Sequence, residues 1–164
     1  MEITASMVKE LRESTGAGMM DCKKALTEAN GDMEAAVDVL RTKGLADLAK
    51  KAGRATNEGL IGGLVSDDGR GAAILEVNCE TDFVARNANF KELVSELAQQ
   101  VLSAAPADVQ SMLSQAYVLR PEITVEERLG EAVGKLGENM GVARFVRYEL
   151  STDAGAMAVY IHGI

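Results

Sequence analysis

Asn78-Cys79-Glu80-Thr81-Asp82-Phe83-Val84-Ala85-Arg86-Asn87 is the stretch on which the reading of this chain turns. An apolar run over 72–78 enters it, and an amphipathic pattern leaves it at Asn87. The first reads as a strand and the second as a helix, so the stretch is a strand-to-helix junction. Phe83, one of 3 phenylalanines in the chain, sits there behind Asp82. A large aromatic just past a strand end either plugs the core or is presented to a partner.

Upstream of the junction, Leu60-Ile61-Gly62-Gly63-Leu64-Val65 reads as another strand. Asp67-Asp68-Gly69 is a hairpin turn signal between the two. The glycines predict a bulge or close packing against another element. Downstream, Phe90, Leu93, Val94, Leu97, Val101 and Leu102 follow a 3.6-residue period, with Asn87 or Asn89 as cap and Pro106 as terminator. Asp108 is the expected cap of a short helix to about residue 117, with Pro121 in the loop that follows. Thr124-Val125-Glu126-Glu127 is a capping box, opening a helix that carries Leu129, Val133 and Leu136. Residues 142–150 alternate as a strand, and 156–161 are a last strand candidate. That last strand has no hairpin partner after it, so its edge belongs to a fragment or is used for association.

Before the first strand the periodicity is helical. Residues 4–14 carry Met7, Val8 and Leu11 at helical spacing, with Thr4 or Ser6 as cap and Thr15-Gly16-Ala17-Gly18 as stop. A second helix over 19–29 has Met19, Cys22, Ala25, Leu26 and Ala29 on one stripe. After the Asn30-Gly31 turn, Asp32 caps a third, with Ala36, Val37 and Leu40 apolar and Gly44 as stop. The predicted fold class is therefore α+β. A three-helix bundle (1–44) leads through a helical connector (45–57) into an α+β unit with a small antiparallel sheet packed by helices (58–154). Met19 and Met20 are turned about 100° from each other on a helix, so both cannot face a three-helix core. One is core filler, and the other lies toward solvent or a partner.

Composition narrows the function classes. Hydrophobic residues make up 47%, aromatics only 4%, and Trp is absent, so the core must be aliphatic. No apolar run reaches a membrane span, and the N-terminus lacks the layout of a secretory signal. A net charge of −8 argues against nucleic-acid binding. The local exception, Arg41, Lys43, Lys50, Lys51 and Arg54 against Asp47, has no interleaved aromatics to stack bases and reads as a solvated helix face. Cys22 and Cys79 form neither a disulfide framework nor a zinc site, and the one histidine, His162, is near the C-terminus. Reduced thiols in a cytosol-like compartment are the expectation. The acidic pairs Asp67-Asp68 and Glu126-Glu127 fall in a turn and on a helix face, and no phosphate-loop or dinucleotide motif occurs. The residues thus predict a binding module rather than an enzyme, with no cofactor or metal.

Two blocks carry a resemblance. The first is Val8-Lys9-Glu10-Leu11-Arg12 through Thr15-Gly16-Ala17-Gly18-Met19-Met20-Asp21-Cys22-Lys23-Lys24-Ala25-Leu26. The second is Leu75-Glu76-Val77-Asn78-Cys79-Glu80-Thr81-Asp82-Phe83-Val84-Ala85, and Lys135-Leu136-Gly137-Glu138-Asn139 is a weaker third. In order and spacing the chain resembles the elongation factor Ts family. The resemblance implies guanine-nucleotide exchange on elongation factor Tu in translation elongation, without direct contact to nucleic acid or membrane. It implies a ubiquitin-associated-like bundle followed by a first core repeat. The compartment implied is the bacterial cytoplasm, or an organelle after removal of a transit peptide. Ala156-Met157-Ala158-Val159-Tyr160-Ile161-His162-Gly163 resembles the entrance to a second repeat, so 155–164 reads as its truncated start. The expectation is an N-terminal portion of a longer factor; a short form that homodimerises to supply the second repeat is the alternative.

By the same resemblance, Thr81, Asp82, Phe83 and Val84 form the partner-binding segment that dislocates the partner's Mg²⁺. Phe83 inserts into an apolar pocket and Asp82 orients the loop, while Val84 and Cys79 support it from the core. Leu11, Met19 and Met20 are implied contacts to another part of the same partner. Two other readings stand beside this one: a non-catalytic module that binds without exchange, and a thiol enzyme using Cys79, which the apolar surroundings of that cysteine disfavour.

Overall fold

In the computed structural model, which describes residues 2–152 and 154–162, side-chain caps open the first and third of the N-terminal helices. The Met7 N–H donates to Thr4 Oγ1 at 3.3 Å and opens helix α1 (Ala5–Thr15). Helix α2 (Met19–Glu28) follows Gly18. The Ala35 N–H donates to Asp32 Oδ1 at 3.0 Å and opens α3 (Met33–Lys51). Val8, Leu11, Cys22, Ala25, Leu26 and Ala36 close a small core among the three.

Gly44 does not end α3, contrary to the sequence expectation. The helix runs on to Lys51, because Gly44 is buried where α3 crosses a later helix and a side chain would not fit. The missing Cβ serves close approach here, not a left-handed stop. Residues 45–51 of the expected connector are the last two turns of that helix.

Strands β1 (Glu58–Val65) and β2 (Gly71–Cys79) form the expected hairpin. A single helical turn, α4 (Asp82–Ala85), then leads into α5 (Ala88–Ala104), capped by Asn87. Next come α6 (Val109–Ser114), β3 (Ala116–Tyr117), β4 (Arg120–Thr124), α7 (Val125–Leu136) and β5 (Met140–Glu149). The antiparallel sheet has the order β1-β2-β5, and β3 and β4 make a separate two-stranded ladder. On its inner face Ala73, Leu75, Val77 and Cys79 pack against Phe90, Leu93, Val94, Leu97 and Val101 of α5. Gly62 marks the close packing predicted for β1: a Cβ there would lie 2.5 Å from Val94 Cγ1. The register irregularity falls instead between β2 and β5, at Glu76/Val77.

Three local expectations are corrected. Helix α6 stops at Ser114, and Tyr117 is in a strand. Buried Gln100 explains this: its Oε1 accepts from the Val118 N–H at 2.8 Å and its Nε2 donates to the Ala116 carbonyl at 3.1 Å, holding the segment extended. Pro121 lies in β4 rather than in a loop, between the paired positions Arg120 and Thr124, where a missing N–H removes no ladder bond. Residues 156–161 form no strand. The Met157 N–H donates to the Gly69 carbonyl at 2.8 Å, and Val159 and Ile161 lie over Gly63 on the outer face of the sheet. Gly63 makes room for them: an added Cβ would be 2.5 Å from Val159 Cγ1. Gly163 and Ile164, the close of that expected segment, lie outside the described residues.

Candidate functional site

The junction is built from the strand end upward. Cys79, the last residue of β2, is buried, and its thiol donates to the Thr81 carbonyl at 3.3 Å. Burial first, and then the nearby Glu138 charge, push the Cys79 thiol up to about 11, so it stays protonated and able to donate. That chemistry is the opposite of what a nucleophilic cysteine needs.

Thr81 is the N-cap of α4. Its Oγ1 accepts from the Val84 N–H at 3.4 Å and donates to Glu138 Oε1 at 2.5 Å. Glu138 Oε2 also accepts from the Glu80 N–H at 3.1 Å and the Thr81 N–H at 3.0 Å. The Thr81 carbonyl takes the Ala85 N–H at 3.1 Å as well as the Cys79 thiol. Every polar atom of Thr81 therefore has a partner.

The contact is reciprocal. Glu80 Oε1 accepts from the Asn139 N–H at 2.6 Å, with Arg54 Nη1 at 3.4 Å beside it. The Asn139 N–H, helped by Arg54, holds the Glu80 carboxyl below its ordinary value. Asn139 Nδ2 donates in turn to the Arg54 carbonyl at 2.8 Å. Glu138 reaches this place because α7 ends at Gly137 in the left-handed conformation, φ +80°, which turns the chain back toward β5.

On this pinned base the side chains divide. Val84 and Ala85 face the core. Phe83 points away and is 82% exposed, while the other expected contact in the loop, Asp82, is half-buried and pairs with Arg86 at 3.2 Å. Phe83 and Tyr160 are the most open of the exposed large apolar side chains among the described residues, and Phe83 is the one carried on the pinned turn.

The bundle contributes Met19 and Met20, 59% and 64% exposed at the start of α2. Neither is core filler; Cys22, Ala25 and Leu26 occupy the buried stripe. Leu11 is a correction: it is fully buried between the bundle helices, so it supports their packing and presents no contact surface of its own. Glu138, Asn139 and Arg54 were missed as parts of the site, although the Glu138-Asn139 pair closes the third block quoted above. Among the described residues, no group of three or more His, Cys, Asp or Glu could hold a metal ion, and no helix is long and apolar enough to cross a membrane.

Residues 80–164, which begin within this junction, match the family model described as Elongation factor TS. Elongation factor Ts of Clostridium tetani is 55% identical over 161 residues, covering 98% of this chain and 52% of that protein. Elongation factor Ts of Clostridium novyi is 52% identical with the same coverage. Elongation factor Ts of Thioalkalivibrio sulfidiphilus is 52% identical over 163 residues, covering 99% of this chain and 54% of the relative. The chain thus spans about half the length of the curated relatives it matches. With a mixed α+β fold and a family match that runs from Glu80 onward, the chain belongs to the elongation factor Ts family.

Proposed function

We propose that the chain takes part in guanine-nucleotide exchange on elongation factor Tu, in the cytoplasm of a bacterium, with Phe83 as the wedge. The observation that carries this is the contrast within one turn: Phe83 is free to solvent while Thr81 beneath it is held at every polar atom. An aromatic ring offers a large apolar area with only two torsions to fix on docking.

A GTP-binding protein holds its nucleotide through phosphate contacts and Mg²⁺. A factor that binds better to the deformed site must, by linkage, weaken nucleotide binding by the same factor. No bond in this chain is made or broken. Its residues bind and orient: Phe83 enters an apolar pocket of the partner's nucleotide domain and disturbs the elements around its Mg²⁺. Asp82, freed from Arg86, contacts the rim. Met19 and Met20, on a bundle of the ubiquitin-associated type, engage a second part of the same domain through adaptable thioether contacts.

The test is release of fluorescent GDP from a bacterial elongation factor Tu by stopped flow. Added chain should accelerate release, and Phe83→Ala should remove most of the acceleration. Equal release rates with and without the wild-type chain would refute exchange. Because the chain covers half the length of its relatives, the second reading is a module that binds the same partner without exchange. Binding with unchanged GDP release identifies it.

A further inference from the structure

We infer that Glu138 is a positioning residue for Phe83: it sets the direction of the wedge by clamping Thr81, and it acts through Thr81 without touching the partner. The inference rests on the exchange reading above. A hydroxyl has one proton to give. By taking the Thr81 proton at 2.5 Å, the Glu138 carboxylate leaves the Thr81 lone pairs to face the Val84 N–H, which is the cap of the turn that carries Phe83. Its second oxygen takes the two successive amides of Glu80 and Thr81. Of the three charge-assisted bonds this side chain makes, two converge on the residue two positions before the wedge and the third holds the amide just ahead of it.

Alternative positioning groups are weaker. The Asp82–Arg86 pair joins a half-buried carboxylate to an exposed guanidinium and is screened by salt. The hydrophobic anchors Val84 and Ala85 hold the far side of the turn but do not orient its start. Glu80 and Asn139 complete the clasp from the other direction and steady the backbone at Glu138.

The test measures GDP release at increasing concentrations of chain, for wild type, Glu138→Ala and Glu138→Gln. A loosened wedge that still docks through the bundle predicts that Glu138→Ala lowers the saturating release rate about tenfold, because misdirected contacts lose rate steeply. The half-saturating concentration should change less than about threefold, since the bundle contact is untouched. Glu138→Gln, which keeps an acceptor oxygen, should recover part of the saturating rate. A residue needed only for folding behaves otherwise: partial unfolding lowers the active fraction and raises the half-saturating concentration with the plateau intact. That pattern, or a plateau unchanged in Glu138→Ala, overturns the inference. Amide hydrogen exchange in the free chain supplies a readout without a partner. The Thr81 and Val84 amides should exchange at least about tenfold faster in Glu138→Ala, as expected for local opening. If the wild-type chain does not accelerate GDP release, the exchange reading fails, and the amide arm alone decides whether Glu138 orders the turn; unchanged exchange rates would overturn that too.

Discussion

Gly44 and Gly130 meet backbone to backbone: a Cβ on Gly44 would lie 3.0 Å from the Gly130 carbonyl carbon, and one on Gly130 would lie 2.9 Å from that of Gly44. This contact lets α3 of the bundle cross α7 of the α+β unit with backbone against backbone. Gly130→Val should force the helices apart and cost about 1–3 kcal/mol, the usual range for overpacking. Gly134 supplies the control, since it lies in the same helix with nothing within 4 Å of an added Cβ. Gly134→Ala should stabilise by about 0.5–1 kcal/mol through helix propensity. Urea unfolding distinguishes them, and equal destabilisation by both changes would remove the packing argument.

Phe83 and Phe90 should differ sharply in what the same substitution costs. Phe90 is fully buried beneath the sheet, so Phe90→Ala should cost about 3–5 kcal/mol. Phe83→Ala removes an exposed ring and should stay within about 0.5 kcal/mol of wild type. A thermal melt of the two variants is sufficient, and a large loss from Phe83→Ala would mean that its ring has a structural partner.

These contrasts show what could be read before the fold was known. The Thr124–Glu127 capping box formed as expected because both halves lie within one turn of chain, with Thr124 N–H to Glu127 Oε2 at 2.7 Å. The 3.6-residue period from Phe90 to Leu102 likewise marks the buried face of α5. Gly44 was ambiguous, since a glycine late in a helical pattern suits a stop as well as a crossing, and only Gly130 decides. The same holds for the clasp around Thr81. Its bonds join positions 57, 58 and 59 apart in the chain, which no local pattern encodes. Residues 156–161 are a continuous apolar run that suits a strand, but such a run reports an apolar environment, not a ladder partner.

The two thiols should be inert in the folded chain. Burial raises both, and Cys79 reaches about 11. Iodoacetamide at pH 8 should leave the native protein unmodified over a period in which the urea-unfolded protein takes two labels, as read by intact mass. The sign for stability follows from the raised value: the folded state keeps a proton that the unfolded state loses, so the Cys79 contribution is present below its ordinary value of 9.0 and is lost as pH rises toward 11. Cys79→Ser should flatten that part of an alkaline stability profile.

Glu80 gives the acidic counterpart. Its carboxyl is held below the ordinary 4.5 by the Asn139 N–H, then by Arg54. In the window between the ordinary and the folded value the unfolded chain binds more protons, so the contribution is complete above 4.5 and disappears as pH falls through the lowered value. Stability measured from pH 6 downward should fall less steeply in Glu80→Gln than in wild type. Matching slopes would show that the Asn139 bond does not favour the ionised form.

Helix α3 continues for two turns past Gly44, and at 1.5 Å per residue its 19 residues make a rod about 28 Å long. A rod of that length, gripped at one end by the bundle and near the other by α7, is a strut and not a tether. The helix that packs within the bundle is thus the same one that crosses α7, whose C-terminal end delivers Glu138 to the frame beneath Phe83.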